Sequence, residues 1–101
     1  MITSTQRKEI EDRMTPGELI WRLTANGKLG LRQIYRITAR EWQFCPPGGG
    51  EIGYFNRPTL RDVELRDDGL DVRGTRFWWH LATDVFDGDV PERIRAAAPR
   101  S

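Results

Sequence analysis

The sequence predicts an α+β domain: one or two N-terminal helices packed on a mostly antiparallel sheet of about four to six strands, closed by a short C-terminal helix. Three observations lead there. Helix-capping patterns stand near both ends of the chain, apolar and polar residues alternate through residues 59–81, and Asp68-Gly69 and Asp87-Gly88 mark sharp turns. A chain of 101 residues suits one domain with one core. Its expected parts are a helical stretch over 1–27, a mainly β stretch over 28–86 with a Pro/Gly-rich loop at 45–50, and a short helix over 89–98.

Taken in order, Ser4 or Thr5 can cap a helix containing Gln6 to Met14, which places Ile10 and Met14 on one face. A second helix is predicted over roughly 16–25, with Asn26-Gly27 as its stop. There Thr15 stands before a first-turn Pro16, Glu18 occupies the reciprocal capping position, and Leu19, Ile20 and Leu23 follow. Residues 28–44 fit two templates. As a helix they carry a basic stripe of Lys28, Arg32, Arg36 and Arg40, and as a strand they alternate, with Ile34, Tyr35, Ile37 and Thr38 favouring the extended form.

The run Cys45-Pro46-Pro47-Gly48-Gly49-Gly50 breaks any regular element and reads as the connection of a hairpin joining Trp42–Phe44 to Ile52–Phe55. From Thr59 a three-strand meander follows: Val63 and Leu65 on one face, Leu70 and Val72 on a face of the next strand, then Arg76 to Leu81. Asp89 with Glu92 can cap a short final helix through Ile94 to Ala98, ended by Pro99.

Composition narrows the functional classes. The formal net charge is +1, but residues 1–44 hold eight basic against five acidic residues (8 − 5 = +3) and residues 45–101 eight against ten (8 − 10 = −2). Fourteen of the sixteen basic residues are arginine, the side chain suited to bidentate contacts and aromatic stacking. A single cysteine, Cys45, allows no internal disulfide and no multi-cysteine metal site, so a cytoplasmic location is expected. No apolar run approaches the roughly 20 residues needed to cross a bilayer, and no membrane partner is expected.

No catalytic constellation is legible. Gly48, Gly50 and Gly53 match a dinucleotide-binding spacing, yet prolines precede them and no amphipathic helix follows. His80 is the only histidine and has no identifiable co-catalyst, so the chain is not expected to be an enzyme. Asp84, Asp87, Asp89 and Glu92 lack the spacing of a calcium loop, and turn and capping chemistry accounts for them, so neither metal nor cofactor is expected.

Two binding readings remain. The first is a small interaction module, regulatory or inhibitory, that meets another protein through an arginine and aromatic surface of Trp78, His80, Arg76, Tyr54 and Arg57. Strand alternation within Arg76-Phe77-Trp78-Trp79-His80-Leu81 turns Phe77, Trp79 and Leu81 inward and leaves Trp78 and His80 on the other face. The second is a DNA or RNA binder using Lys28, Arg32, Gln33, Arg36 and Arg40, with helix-turn-helix-like geometry if residues 30–41 are helical.

Overall fold

A computed structural model describes residues 1–85 and 89–97. Helix α1 (Ser4–Arg13) precedes strands β1 (Leu19–Leu23), β2 (Leu29–Ile37), β3 (Glu41–Cys45) and β4 (Gly53–Asn56). A 3₁₀ turn (Leu60–Asp62) leads into β5 (Val63–Arg66), β6 (Gly69–Val72) and β7 (Thr75–Trp79), and α2 (Glu92–Ala97) follows. The predicted Ala98 and Pro99 at the end of this last helix, and the Asp87-Gly88 turn, lie outside the described residues.

The strands form one antiparallel seven-stranded sheet in the order β4-β3-β2-β1-β7-β6-β5. It comprises two meanders, β1 to β4 and β5 to β7, joined where β1 pairs with β7. The count exceeds the expected four to six because the stretch expected to be the second helix supplies β1 at the centre of the sheet. Gly17 sits at φ +93°, and its N–H donates to the Ile34 carbonyl at 2.7 Å, while the Glu18 carbonyl accepts from Ile34 N–H at 2.8 Å. The capping-like Thr15 to Glu18 is therefore a turn that hands the chain to β2, not a helix start. A central strand covered on both faces reads as a nearly continuous apolar run, which short-range periodicity does not separate from a helix.

The other elements follow their local chemistry. Thr3, one residue before the expected caps, closes a reciprocal box with Gln6 over distances of 3.1 and 2.9 Å. Ile10 and Met14 are both buried, as their spacing implied. Residues 29–37 take the extended alternative, with a bulge between Ile34 and Arg36, and so lack the helix that the helix-turn-helix arrangement requires. The hairpin across the Pro/Gly-rich loop pairs Trp42 with Phe55. Arg73 and Gly74, both at positive φ, close the β6–β7 turn. Gly69 has no room for a side chain, since a Cβ there would lie 1.8 Å from the Phe77 carbonyl oxygen.

The sheet is curled. Neighbouring strands lie about 4.8 Å apart, so β3 and β7, with two strands between them, would be about 14 Å apart in a flat sheet. Instead Phe44 of β3 stacks on Phe77 of β7 at 5.5 Å between ring centroids, and Phe55 of β4 meets Phe77 edge-on at 6.0 Å. The concave face is filled by these rings with Ile20, Ile34, Trp42, Leu70, Val72 and Trp79, and by Ile10 and Met14 from the α1 end. On the opposite face a smaller cluster joins Trp21, Trp78 and Ile94, with Leu23, Leu29, Leu31 and Val90 against it. Phe77 and Trp79 thus point inward as alternation implied, whereas Leu81 lies past the strand end and is exposed.

Helix α2 is only six residues long and is held by a polar clamp. Arg93 donates to the Asp84 carboxylate at 2.8 and 3.2 Å and to the Trp79 carbonyl at 2.7 Å, while Leu81 N–H donates to Asp84 at 2.8 Å. The hydrogen bonds from Arg93 hold the Asp84 carboxyl below its usual value against the opposing effect of burial, helped by Leu81 N–H. A depressed carboxyl stabilises the fold fully above its unfolded pKa, and that stability is lost as pH falls through the lower folded value. Asp84→Asn is therefore expected to loosen α2 at neutral pH as acid does in the native chain. Hydrogen exchange of residues 89–97 is the measurement, and unchanged exchange in the variant would show that the clamp does not hold the helix.

Candidate functional site

Strand alternation also decides which polar side chains share the concave face. On β1, Ile20 is buried in the main core, so Arg22 two residues on points the same way. On β2, Ile34 is in that core, so Arg32 and Gly30 share its face. Register places Ile20 opposite Arg32 and Arg22 opposite Gly30, making the two arginines diagonal neighbours across the β1–β2 pair. They stand where the aromatic filling of the concave face gives way to the hairpin end.

That end is fixed locally. Thr24 N–H donates to the Lys28 carbonyl at 2.8 Å, Lys28 N–H donates to the Thr24 hydroxyl at 3.0 Å, and the hydroxyl donates to Asn26. Asn26-Gly27 thus turns the chain instead of stopping a helix. The result is a cavity of about 390 Å³ lined by Arg22, Thr24, Lys28, Gly30, Arg32 and Gly53. No carboxylate of the described residues lines it.

Both guanidinium groups are partly buried, and the Nε atoms of Arg22 and Arg32 are inaccessible and without a hydrogen-bond partner among the described residues. Burial, and then the neighbouring Arg32 charge, pull the Arg22 guanidinium below its ordinary value. An arginine remains cationic all the same. Two other half-buried arginines of the fold are treated differently: Arg57 meets Glu11 at 2.7 Å and Arg93 meets Asp84 at 2.8 Å. Desolvated cationic donors without a counter-charge are costly to the fold and suited to an incoming anion.

The residues singled out from the sequence scatter over the molecule. Trp78 is fully buried beneath Ile94 of α2 and presents no surface. Arg76 lies over the Trp78 ring at 4.7 Å and faces Asp68 and Asp71 at 3.5 and 3.6 Å. Arg57 is engaged by Glu11. His80 lines a different cavity with Arg13, Thr15 and Glu18. Tyr54 is 66% exposed on β4, but alternation turns it to the face opposite Gly53 and Phe55, away from the arginine cavity.

Of the basic segment, Lys28 and Arg32 reach the cavity, whereas Gln33 accepts the Gly48 N–H at 2.9 Å. Arg36 follows the bulge and Arg40 stands exposed after β2, so the helical stripe is broken up. Arg22 and Gly30 were missed as site residues. Their signal was the alternation Ile20, Arg22, Thr24, hidden while that stretch read as a helix.

Among the described residues no helix is long and apolar enough to cross a membrane. Comparison of the chain with known protein families, curated proteins and solved structures found no match.

Proposed function

We propose that this chain is a non-enzymatic interaction module that binds another protein by taking an acidic group of that partner into the cavity between Arg22 and Arg32. The observation that carries the reading is the arginine pair itself, two partly buried guanidinium groups lining one cavity with no carboxylate beside them among the described residues. Arginine is enriched at interfaces, which suits this pair to a partner's acidic side chain. The surface proposed here is a different one from the arginine and aromatic surface expected from the sequence, since Trp78, Arg76 and Arg57 make internal contacts.

The test is fluorescence anisotropy with a labelled glutamate-rich peptide and, separately, a labelled single-stranded oligonucleotide. Charge-assisted hydrogen bonds are worth about 1.5–3 kcal/mol each, so the double change Arg22→Gln and Arg32→Gln is expected to weaken peptide binding at least about tenfold. The double variant is expected to melt no lower than the native chain, because it removes two unpaired, partly buried charges. Binding of the oligonucleotide in the absence of peptide binding would replace this reading with the nucleic-acid one.

A further inference from the structure

The cavity holds more positive charge than one carboxylate answers. Arg22, Arg32 and Lys28 line it without an acid among the described residues, in a fold that supplies carboxylates to Arg57, Arg66 and Arg93 within 2.8 Å. A carboxylate brings one charge and two oxygens, whereas a phosphomonoester brings about 1.5–2 negative charges at neutral pH and three acceptor oxygens. Resting on the reading that this cavity receives the partner's anionic group, we infer that the group is a phosphomonoester, borne on the partner as phosphoserine or phosphothreonine.

Geometry and space agree with that chemistry. Arg22 and Arg32 approach from adjacent strands on one face, so two planar forks can grip different oxygens of one tetrahedral group, the bidentate contact that arginine makes better than lysine. Gly30, opposite Arg22, keeps the space between them open: a Cβ there would meet nothing within 4 Å. The Thr24 hydroxyl donates its proton to Asn26, which leaves the guanidinium groups and Lys28 as the donors at hand. A volume of about 390 Å³ lies at the small end of ligand pockets, ample for a phosphorylated side chain.

The experiment is calorimetric titration with three probes: a capped five-residue peptide with a central phosphoserine, the same peptide with glutamate there, and phenyl phosphate. At pH 7.5 the phosphopeptide is expected to bind at least about tenfold tighter than the glutamate peptide. This advantage shrinks by pH 5, as the phosphate takes up its second proton near pH 6. Arg22→Gln and, independently, Gly30→Val are each expected to weaken phosphopeptide binding at least about tenfold; the second fills the cavity without removing charge.

Equal affinity for the two peptides would overturn the phosphomonoester and leave the acidic-group reading standing. Phenyl phosphate binding without the phosphopeptide would overturn the protein-borne source, and binding of none of the probes would overturn both readings. Phosphopeptide binding indifferent to both substitutions would place the contact elsewhere and overturn both as well.

Discussion

Trp78→Ala is expected to remove about 3–5 kcal/mol of stability, the cost of deleting a large aromatic side chain from a core. Trp78 is fully buried, packed with Trp21 and Ile94, and carries the Arg76 guanidinium 4.7 Å above its ring. Small domains have only about 5–15 kcal/mol in total, so the variant should lose a large part of its margin and shed α2 with its main support. Urea unfolding followed by circular dichroism measures it. A loss below about 1 kcal/mol would mean that α2 does not cover the tryptophan. Trp78→Phe, which keeps much of the apolar volume, should cost less than alanine.

The second large effect is expected at Glu11, which ties α1 to the β3–β4 hairpin. Its carboxylate accepts from Arg57 at 2.7 and 2.8 Å and from the Trp42 indole at 2.9 Å. Burial pushes the Glu11 carboxyl up, but the hydrogen bonds from Arg57 and Trp42, with the Arg57 charge, outweigh it and leave the group below its ordinary value. Glu11→Gln should cost about 2–3 kcal/mol at neutral pH, in the range for hydrogen bonds to charged groups. Because the folded carboxyl is depressed, its contribution is complete above the unfolded pKa and disappears as pH falls through the folded one. The gap between native and variant urea midpoints should therefore narrow in acid. A gap independent of pH would assign the loss to shape and not to charge.

These two residues show how unevenly the fold was legible. The α1 helix, the β5–β7 meander and the β3–β4 hairpin could be read because each rests on neighbours in the chain: a capping box, a turn residue, an alternation of period two. Leu19 to Leu23 misled because both of its faces are covered, Ile20 by the main core and Trp21 by the cluster under α2. The pattern that distinguishes strand from helix needs one polar face, and a central strand has none. The same double coverage hid Trp78. Alternation correctly turned it away from Phe77 and Trp79, but a second apolar layer on that side depends on α2, fastened by Arg93 to Asp84 from nine residues away.

The candidate site was legible in only two of its members. Lys28 and Arg32 stood out as part of a basic segment, while Arg22 belonged to another stretch and Gly30 carried no side chain to notice. Pairing Arg22 with Gly30 and Ile20 with Arg32 is a matter of register, and register is decided by the turn at Asn26-Gly27 together with burial of the concave face. The sequence by itself determined an α+β architecture, the turn at Asp68-Gly69 and the outer meander, because those follow from local propensity and residue type. Only the tertiary structure decided which aromatic residues are covered and which arginines are left without a carboxylate. Burial and charge pairing are properties of residues brought together by the curl of the sheet, and no local pattern encodes that curl.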